Sequence, residues 1–314
     1  MNFRQLGTGG PLLSEIGFGA WAVGGAWRFG WGTVDDNESI AAIHRALDLG
    51  VNWIDTAAVY GLGHSEEVVG RAVRDRRDRV FVATKCSQVW DESGHVRTHA
   101  GKESIRRELE GSLKRLQTDY IDLYQIHWPD FDTPIEESWG EMARLQREGK
   151  VRHIGVSNFG VDLLKHCRQI APVQSLQPIY NMLERDIEQE ILPFCRTNGI
   201  GIISYSPMQS GLLSGSFEMT RLKPDDWRIV HSEKFREPKY SRGLRVVEAL
   251  RPIAAKYRKR VGQLAVAWVL MNGAITSAIV GARRAAQVEQ NVGATGWSIH
   301  ESDMQIIDRI LSEN

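Results

Sequence analysis

The stretch VNWIDTAAVYG, residues 51–61, decides the fold. It opens as a strand of apolar residues that favour extended backbone, after a helical pattern that ends at Gly50. The strand closes on Asp55, and Tyr60 follows in the loop. A carboxylate at the end of a buried strand is costly unless it is paired, and α/β proteins place their chemistry at such strand ends. The alternative interpretation is that Asp55 caps the next segment and Tyr60 is a half-buried loop aromatic.

The rest of the chain repeats this unit, in which a short apolar strand alternates with a helix of 3.6-residue period. Repeated βα units with short connections imply right-handed crossovers and a parallel sheet. Eight units in 314 residues favour a (β/α)8 TIM barrel over an open sheet, and we expect one barrel domain over residues 1–314. The strands are predicted near residues 51, 80, 120, 151, 173, 200 and 276, with residues 15–18 as the eighth.

Two segments fall outside the repeat. Residues 3–16 predict an N-terminal β-hairpin with a turn at Gly9, Gly10 and Pro11. Residues 216–243 form a long, charged connection after the seventh strand, with no sustained period. A connection of this length inside a barrel is usually a lid or is disordered, and we predict a lid over a cofactor.

Charge and composition narrow the classes of function. The 39 basic and 39 acidic residues balance, which gives no reason to expect nucleic acid or an anionic membrane as partner. Three widely spaced cysteines are typical of a reduced intracellular protein. The N-terminus has no apolar segment like that of a signal peptide, and the longest apolar run, 264–271, is too short to span a bilayer. We therefore expect a cytoplasmic protein that acts on a small molecule, and the sequence indicates no obligate protein partner.

One familiar motif is discounted. Gly17, Gly19 and Ala22 have the spacing of a dinucleotide-binding G-x-G-x-x-A turn. Such a turn must open a helix at once, yet residues 20–33 are rich in glycine and tryptophan and have no helical period. A loop that lines a pocket is the better interpretation.

Polar side chains stand at the ends of the predicted strands. In a barrel these ends converge on one face, where the βα loops form the active site. Each residue alone has a purely structural interpretation, such as a solvated strand end or a core histidine, but the convergence of all of them favours an active site. They are Asp55, Lys85, His127, Ser157, Asn158, Gln177 and Tyr205, with Tyr60 just beyond the first.

These residue types suggest proton transfer. Lys85 beside Asp55 would stay charged through pairing. A cation near Tyr60 favours the phenolate, so we expect the pKa of Tyr60 to fall from roughly 10, which makes it a usable general acid near neutral pH. His127 could donate a hydrogen bond to a substrate oxygen. The sequence has no nucleophile elbow, metal-ligand cluster or P-loop.

Several stretches resemble the aldo-keto reductase family in the same order. GVNWIDTAAVYG and SLKRLQTDYIDLYQIHWPD (residues 112–130) resemble its two signatures. GVSNF (155–159), SYSPMQSGLLSG (204–215) and IVGARRAAQVEQN (279–291) resemble its cofactor segments. The resemblance spans about residues 3 to 295 and is greatest to the bacterial branch similar to the potassium-channel β-subunits.

The resemblance implies a barrel that binds NADP(H) without a Rossmann domain, and a catalytic tetrad of Asp55, Tyr60, Lys85 and His127. Tyr60 would protonate the carbonyl oxygen as hydride arrives from the nicotinamide. The implied cofactor-binding residues are Ala20, Trp21, Asp55, Ser157, Asn158, Gln177, Tyr205, Ser206, Pro207, Met208, Gln209, Ser210, Gly281, Arg283, Gln287, Gln290 and Asn291.

The sequence departs from the family at two points. Ser216 stands where some relatives carry a phosphate-binding lysine, and Val280 replaces the usual proline before Gly281. The predicted substrate pocket is aromatic, as is common for small-molecule sites, although loop tryptophans are also often plain packing. Its residues are Trp21, Trp31, Tyr60, Trp90, His127 and Trp128, with Trp27 nearby.

Three functions are compatible with these features. The first is an NADPH-dependent oxidoreductase that reduces aldehydes and ketones to alcohols. The second is a cofactor-sensing binding subunit with slow chemistry, and the third is a reductase or dehydrogenase dedicated to one sugar or polyol. Some channel-type relatives carry asparagine at the position of His127, so the histidine favours the enzyme.

Overall fold

The computed structural model describes residues 1–224 and 226–313, and within them it is built on a closed parallel barrel. The barrel joins eight strands in the order β10-β11-β12-β3-β4-β5-β8-β9, which confirms the predicted (β/α)8 class and the eighth strand near residues 15–18. The strands are β1 (Phe3–Gln5), β2 (Leu12–Ser14), β3 (Ile16–Gly19), β4 (Trp53–Asp55), β5 (Phe81–Cys86), β6 (Gln88–Trp90), β7 (Val96–Thr98), β8 (Ile121–Ile126), β9 (Val151–Ser157), β10 (Ser175–Gln177), β11 (Gly201–Tyr205) and β12 (Ile275–Gly281).

Helices surround the barrel and bury one face against it. In the helix of residues 135–147, for example, Trp139, Met142 and Leu145 follow the 3.6-residue period and are fully buried. None of the helices described is long and apolar enough to cross a membrane. They are α1 (Asp36–Asp48), α2 (His64–Val73), α3 (Lys102–Leu116), α4 (Ile135–Arg147), α5 (Val161–Ile170), α6 (Ile191–Thr197), α7 (Trp227–Val230), α8 (Lys239–Lys256), α9 (Val261–Met271), α10 (Ala285–Val292) and α11 (Glu301–Glu313).

The predicted N-terminal hairpin is present and closes the end of the barrel opposite the βα loops. Strands β1 and β2 pair with Phe3 opposite Ser14. Leu6 and Leu13 pack with inward-facing side chains of five barrel strands in a small cluster separate from the main core, completed by Trp53, Ala83, Leu123, Ile203 and Ile279. The hairpin therefore supplies the apolar floor on which the barrel interior rests.

The barrel closes at a seam between β12 and β3, strands that lie far apart in the chain. Strand β12 pairs in parallel with β3, from Ala278 opposite Ile16 to Gly281 opposite Gly19. Arg4 reinforces this seam, because its Nη1 donates to the carbonyl of Ile275 at 2.8 Å.

Two parts of the fold differ from the sequence prediction. A second hairpin, β6–β7, follows β5, where no strands were predicted. The long connection after β11 contains short helical turns and α7, and α8 begins at Lys239, earlier than the helix near 244 that the sequence predicted. Residue 225 of this connection lies outside the described residues.

Trp53 fills the barrel interior, and Gly17 makes room for it. The indole Nε1 of Trp53 donates to Ser277 Oγ at 3.1 Å. A Cβ on Gly17 would lie 2.2 Å from Cε2 and Cζ2 of the Trp53 ring, far inside van der Waals contact. The packing of Trp53 thus requires glycine at position 17.

We expect Gly17→Ala to lower the free energy of unfolding by about 1–3 kcal/mol, since overpacked cores must shift backbone or side chains. Gly140→Ala is the matched control, because Gly140 lies inside α4 and a Cβ there meets nothing within 4 Å. That change should leave stability equal or raise it by about 0.4–1 kcal/mol. Urea unfolding of both variants measures the difference, and equal stability of Gly17→Ala and the wild type would contradict the packing constraint.

Candidate active site

The ends of the barrel strands open into one cleft of about 1100 Å³. Many residues predicted for the site line it, including three of the four proposed tetrad residues. The lining includes Trp21, Trp31, Asp55, Tyr60, His127, Trp128, Ser157, Asn158, Gln177, Tyr205, Ser206, Pro207, Met208, Ser210, Gly281, Gln287, Gln290 and Asn291.

Lys85 occupies the centre of the site. Its Nζ donates to both carboxylate oxygens of Asp55 at 2.8 Å, to the carbonyl of Thr56 at 2.9 Å, and lies 3.3 Å from the Tyr60 hydroxyl. Gln177 Nε2 donates to Asp55 Oδ1 at 2.8 Å, so the carboxylate is held from two sides. Burial lowers the pKa of Lys85 below its usual 10.5, while the charge of Asp55 opposes that shift. The interior of the barrel therefore fixes an ion pair directly beneath Tyr60.

His127 follows β8 and faces the tyrosine. Its backbone N–H donates to the Cys86 carbonyl at 3.0 Å, which ties the ends of β8 and β5 together. The imidazole lies edge-on to the Tyr60 ring, with centroids 5.7 Å apart. Burial, and then the charge of Lys85, hold the pKa of His127 well below 6.5, so the ring is neutral at physiological pH. A neutral imidazole can donate one hydrogen bond from the nitrogen that carries the proton.

The expected lowering of the Tyr60 pKa was wrong. Burial of the phenol, and then the charges of Asp55 and Tyr205, raise the pKa of Tyr60 well above 10. The physical reason is that Asp55 neutralises Lys85 at close range, so the cation does not outweigh the loss of water around the phenolate. Tyr60 is therefore a protonated phenol across the physiological range, hydrogen-bonded to a fixed ammonium.

A second polar network lies beside the tetrad, at the ends of β9, β10 and β11. Asn158 Nδ2 donates to the His127 carbonyl at 3.1 Å, and its Oδ1 accepts from the Tyr205 hydroxyl at 3.0 Å. Ser157 Oγ donates to the Gln177 carbonyl at 2.8 Å. Asn158 adopts a left-handed backbone with φ 63°, which asparagine tolerates better than most residues. These contacts hold the side chains of Ser157, Asn158 and Tyr205 in fixed positions at the cleft wall.

The other end of the cleft is suited to an anion. In the loop after β11, Ser206, Gln209 and Ser210 have positive φ. Arg251 donates from Nη2 to the Gly215 carbonyl at 2.9 Å, beside Ser216. Most charged side chains that line this end are cationic: Arg221, Arg228, Lys234, Arg251, Lys259 and Arg260. Arg251 was missed from the sequence, because nothing in the helical pattern of α8 indicates which residue reaches the distant loop.

Five predicted site residues do not line the cleft, and one of them is Lys85, which is buried beneath it. Ala20 is fully buried, and Gln209 is buried and bonds Asn181 and Glu184. Trp90 lies on β6 near the Arg115 guanidinium. Arg283 is half-buried, and its Nη1 lies 3.4 Å from the Trp31 carbonyl. Their proposed roles stay predictions.

A strap formed by residues 217–224 and 226–235 lines the cleft and meets the tryptophan-rich loop of residues 20–33. The Trp227 ring lies 5.1 Å from Trp21, and the Arg228 guanidinium lies 4.7 Å from the Trp31 ring. Arg228 is buried, paired with Asp226 at 2.7 Å, and its Nη1 donates to the Ser210 carbonyl at 3.3 Å. These partners leave no signal in the sequence, and the lid role of the strap stays a prediction.

In the described part of the chain, no group of three or more histidine, cysteine, aspartate or glutamate side chains is arranged to hold a metal ion. The ionisable groups that the barrel brings together are those of proton transfer, namely a phenol, an ammonium, a carboxylate and an imidazole. A protonated phenol next to a fixed cation can transfer its proton to an oxygen placed between Tyr60 and His127.

The model of the Aldo/keto reductase family matches residues 15–312. "Aldo-keto reductase YhdN" of Bacillus subtilis (strain 168) is 42% identical, with 99% of this chain and 94% of the relative covered. "NADH-specific methylglyoxal reductase" of Escherichia coli (strain K12) is 36% identical, with 96% of each covered. "Probable voltage-gated potassium channel subunit beta" of Oryza sativa subsp. japonica is 32% identical, with 94% and 91% covered. The solved structure of the glycerol dehydrogenase AKR11B4 from Gluconobacter oxydans superposes with a TM-score of 0.90 at 39% identity, covering 99% of this chain and 95% of the other.

The raised pKa of Tyr60 predicts its titration directly. In the free protein we expect Tyr60 to stay protonated at least to pH 10, since its pKa lies above that value. Ultraviolet difference titration of tyrosinate should therefore overlay for the wild type and Tyr60→Phe up to that pH. If the wild type shows a tyrosine that ionises below pH 10 and Tyr60→Phe does not, the pKa of Tyr60 is lowered, as the sequence suggested.

Proposed function

The chain belongs to the Aldo/keto reductase family, and from that premise we propose that it reduces aldehydes or ketones to alcohols with NADPH, with Tyr60 as the proton donor. The observation that carries the proposal is the Lys85 ammonium, which lies 2.8 Å from both oxygens of Asp55 and 3.3 Å from the Tyr60 hydroxyl. This arrangement supports a phenol that gives up its proton beside a compensating charge.

The residues present fit a nicotinamide dinucleotide. The polar network of Ser157, Asn158, Gln177 and Tyr205 offers amide and hydroxyl groups beside the tetrad, suited to a carboxamide and an aromatic ring. The cations at the far end suit phosphate groups. When bound, the reduced cofactor would supply the hydride.

The chain's own residues supply the proton and hold the carbonyl. His127 is neutral and can donate to the carbonyl oxygen, while Tyr60 donates its proton to the same oxygen. As the phenol loses its proton, the charge that develops on its oxygen is stabilised by the ammonium of Lys85. Asp55 fixes that ammonium through two hydrogen bonds, so little reorganisation is needed at the moment of reaction.

We expect Tyr60→Phe to lower turnover by about 10²–10⁴-fold, because the variant loses the proton donor. Binding of NADPH should change little, since the ring is retained. Single-turnover oxidation of NADPH by an aldehyde, together with a cofactor titration, separates the two effects. Turnover like that of the wild type, with the chemical step limiting, would remove Tyr60 from the mechanism.

The choice of NADPH over NADH rests on Arg283. This guanidinium is half-buried. Burial, and then the nearby charges of Arg284 and Arg228, lower its pKa below the usual 12.5. Its only side-chain hydrogen bond to the described residues is the long one to the Trp31 carbonyl. A desolvated guanidinium with free donors is suited to a 2′-phosphate, whereas Arg284 is exposed and pairs with Glu38 at 3.3 Å.

Arg283→Ala should weaken NADPH binding by about 1.5–3 kcal/mol, the scale of a hydrogen bond to a charged group, and leave NADH nearly unchanged. Arg284→Ala is the matched control and should affect neither cofactor strongly, because an exposed ion pair contributes little. The Kd of each cofactor, measured with all three proteins, checks the outcome. An equal loss for NADPH and NADH in Arg283→Ala would assign the residue to packing of the Trp31 loop.

A further inference from the structure

Given the proposed carbonyl reduction, the His127 imidazole must be held where it can donate to the substrate oxygen. The ring lies edge-on to Tyr60, with centroids 5.7 Å apart, and it makes no hydrogen bond to any of the described residues. No side-chain partner therefore fixes its direction. The orientation of the ring depends on its packing and on the main chain at residues 127–128.

Four hydrogen bonds hold this main chain just beyond β8. The His127 N–H donates to the Cys86 carbonyl at 3.0 Å, and the His127 carbonyl accepts from Asn158 Nδ2 at 3.1 Å. The other two bonds belong to Trp128, and one hydroxyl makes both of them. Ser87 Oγ donates to the Trp128 carbonyl at 2.9 Å and accepts from the Trp128 N–H at 3.3 Å. A single side chain thus satisfies two of the four main-chain groups that support the imidazole.

The backbone of Ser87 has an unusual conformation. Its φ of 76° lies in the left-handed region, which few residues other than glycine adopt. Such strain persists only where the surroundings determine it, and it clusters at functional sites. Here the Ser87 N–H donates to Glu108 Oε2 at 3.0 Å, and the Ser87 carbonyl accepts from the His99 N–H at 2.9 Å. These two bonds hold the hydroxyl against Trp128.

Ser87 acts from outside the cleft. It is fully buried and is not part of the cleft lining, whereas His127 and Trp128 are. It directly follows β5, two residues after Lys85. The end of one strand therefore carries both the ammonium beneath Tyr60 and the hydroxyl that fixes the residue after His127.

On the basis of the proposed carbonyl reduction, we propose that Ser87 is a positioning residue. Its hydroxyl sets the direction of the His127 imidazole through the main chain of Trp128, and it touches neither substrate nor cofactor. Without the hydroxyl, the N–H and carbonyl of Trp128 lose their partner. The imidazole then leaves the position from which it donates to the substrate oxygen, and reduction slows while the cofactor site is unchanged.

Two variants remove the hydroxyl in different ways. Ser87→Ala keeps the Cβ, whereas Ser87→Gly also relieves the strain of the positive φ and so guards against a failure to fold. Each should lower the single-turnover rate of NADPH oxidation by an aldehyde about three- to tenfold, the effect of one well-placed hydrogen bond. The Kd of NADPH should stay equal to that of the wild type.

Ser14→Ala is the matched control. Ser14 is also fully buried, and its Oγ also joins two main-chain groups, donating to the Ile16 carbonyl at 2.6 Å and accepting from the Asn52 N–H at 3.2 Å. It lies on β2, in the hairpin at the opposite end of the barrel. The control should lose thermal stability, as Ser87→Ala does, and keep the wild-type reaction rate.

A double-mutant cycle tests whether Ser87 acts through His127. Because His127→Ala removes the imidazole, adding Ser87→Ala to it should slow the reaction little further. An equal slowing in both backgrounds would show that Ser87 acts on another group and would overturn the proposal. Wild-type rates in both Ser87 variants, or an equal fall in Ser14→Ala, would overturn it as well.

A measurement that needs no turnover separates this proposal from the proposed function. The imidazole carbon–proton NMR signal of His127 in the free protein is identified by its absence from His127→Ala. It should shift in both Ser87 variants and keep its place in Ser14→Ala. A signal that moves in neither Ser87 variant would overturn the positioning role. If the signal shifted as expected but the wild type oxidised NADPH with no aldehyde, the proposed function would fail and the positioning of His127 would stand.

Discussion

An ammonium group is stable inside a protein only when fixed oxygens replace its water, and Lys85 has four of them, from Asp55, Thr56 and Tyr60. Removing two charges from water costs several kcal/mol for each ion, and good geometry must repay it. The parallel barrel provides that geometry, because β4 and β5 are neighbours and their carboxyl ends lie on the same face. The position of the Tyr60 hydroxyl depends on this pair.

Strand β4 contributes both Asp55 and the large interior residue Trp53. Trp53 and Asp55 are two residues apart, so both point inward, one toward the apolar floor and the other toward the cleft. Below them the hairpin residues Leu6 and Leu13 exclude water. The apolar layer thus lies directly beneath the charged layer. Along β4 the barrel interior changes from apolar side chains at Trp53 to an ion pair at Asp55.

The sequence predicted the barrel and the convergence of its polar strand-end residues, because both leave local signals. Each strand shows as an apolar run, and each polar residue stands at the end of its run, so topology alone brings Asp55 and Lys85 together. The direction of the Tyr60 pKa was predicted wrongly, since it depends on how fully Asp55 cancels the cation at short range. Arg228 and Arg251 left no local signal, because their contacts with Trp31 and Gly215 join segments far apart in the chain.

The seam between β12 and β3 has a consequence for the synthesis of the protein. Gly281 pairs opposite Gly19, so this edge of β3 has no partner until the chain has been synthesised as far as β12. Until then the growing polypeptide exposes an open strand edge and an apolar interior, which are the features that favour aggregation. The barrel can therefore close only when β12 has been made and meets β3.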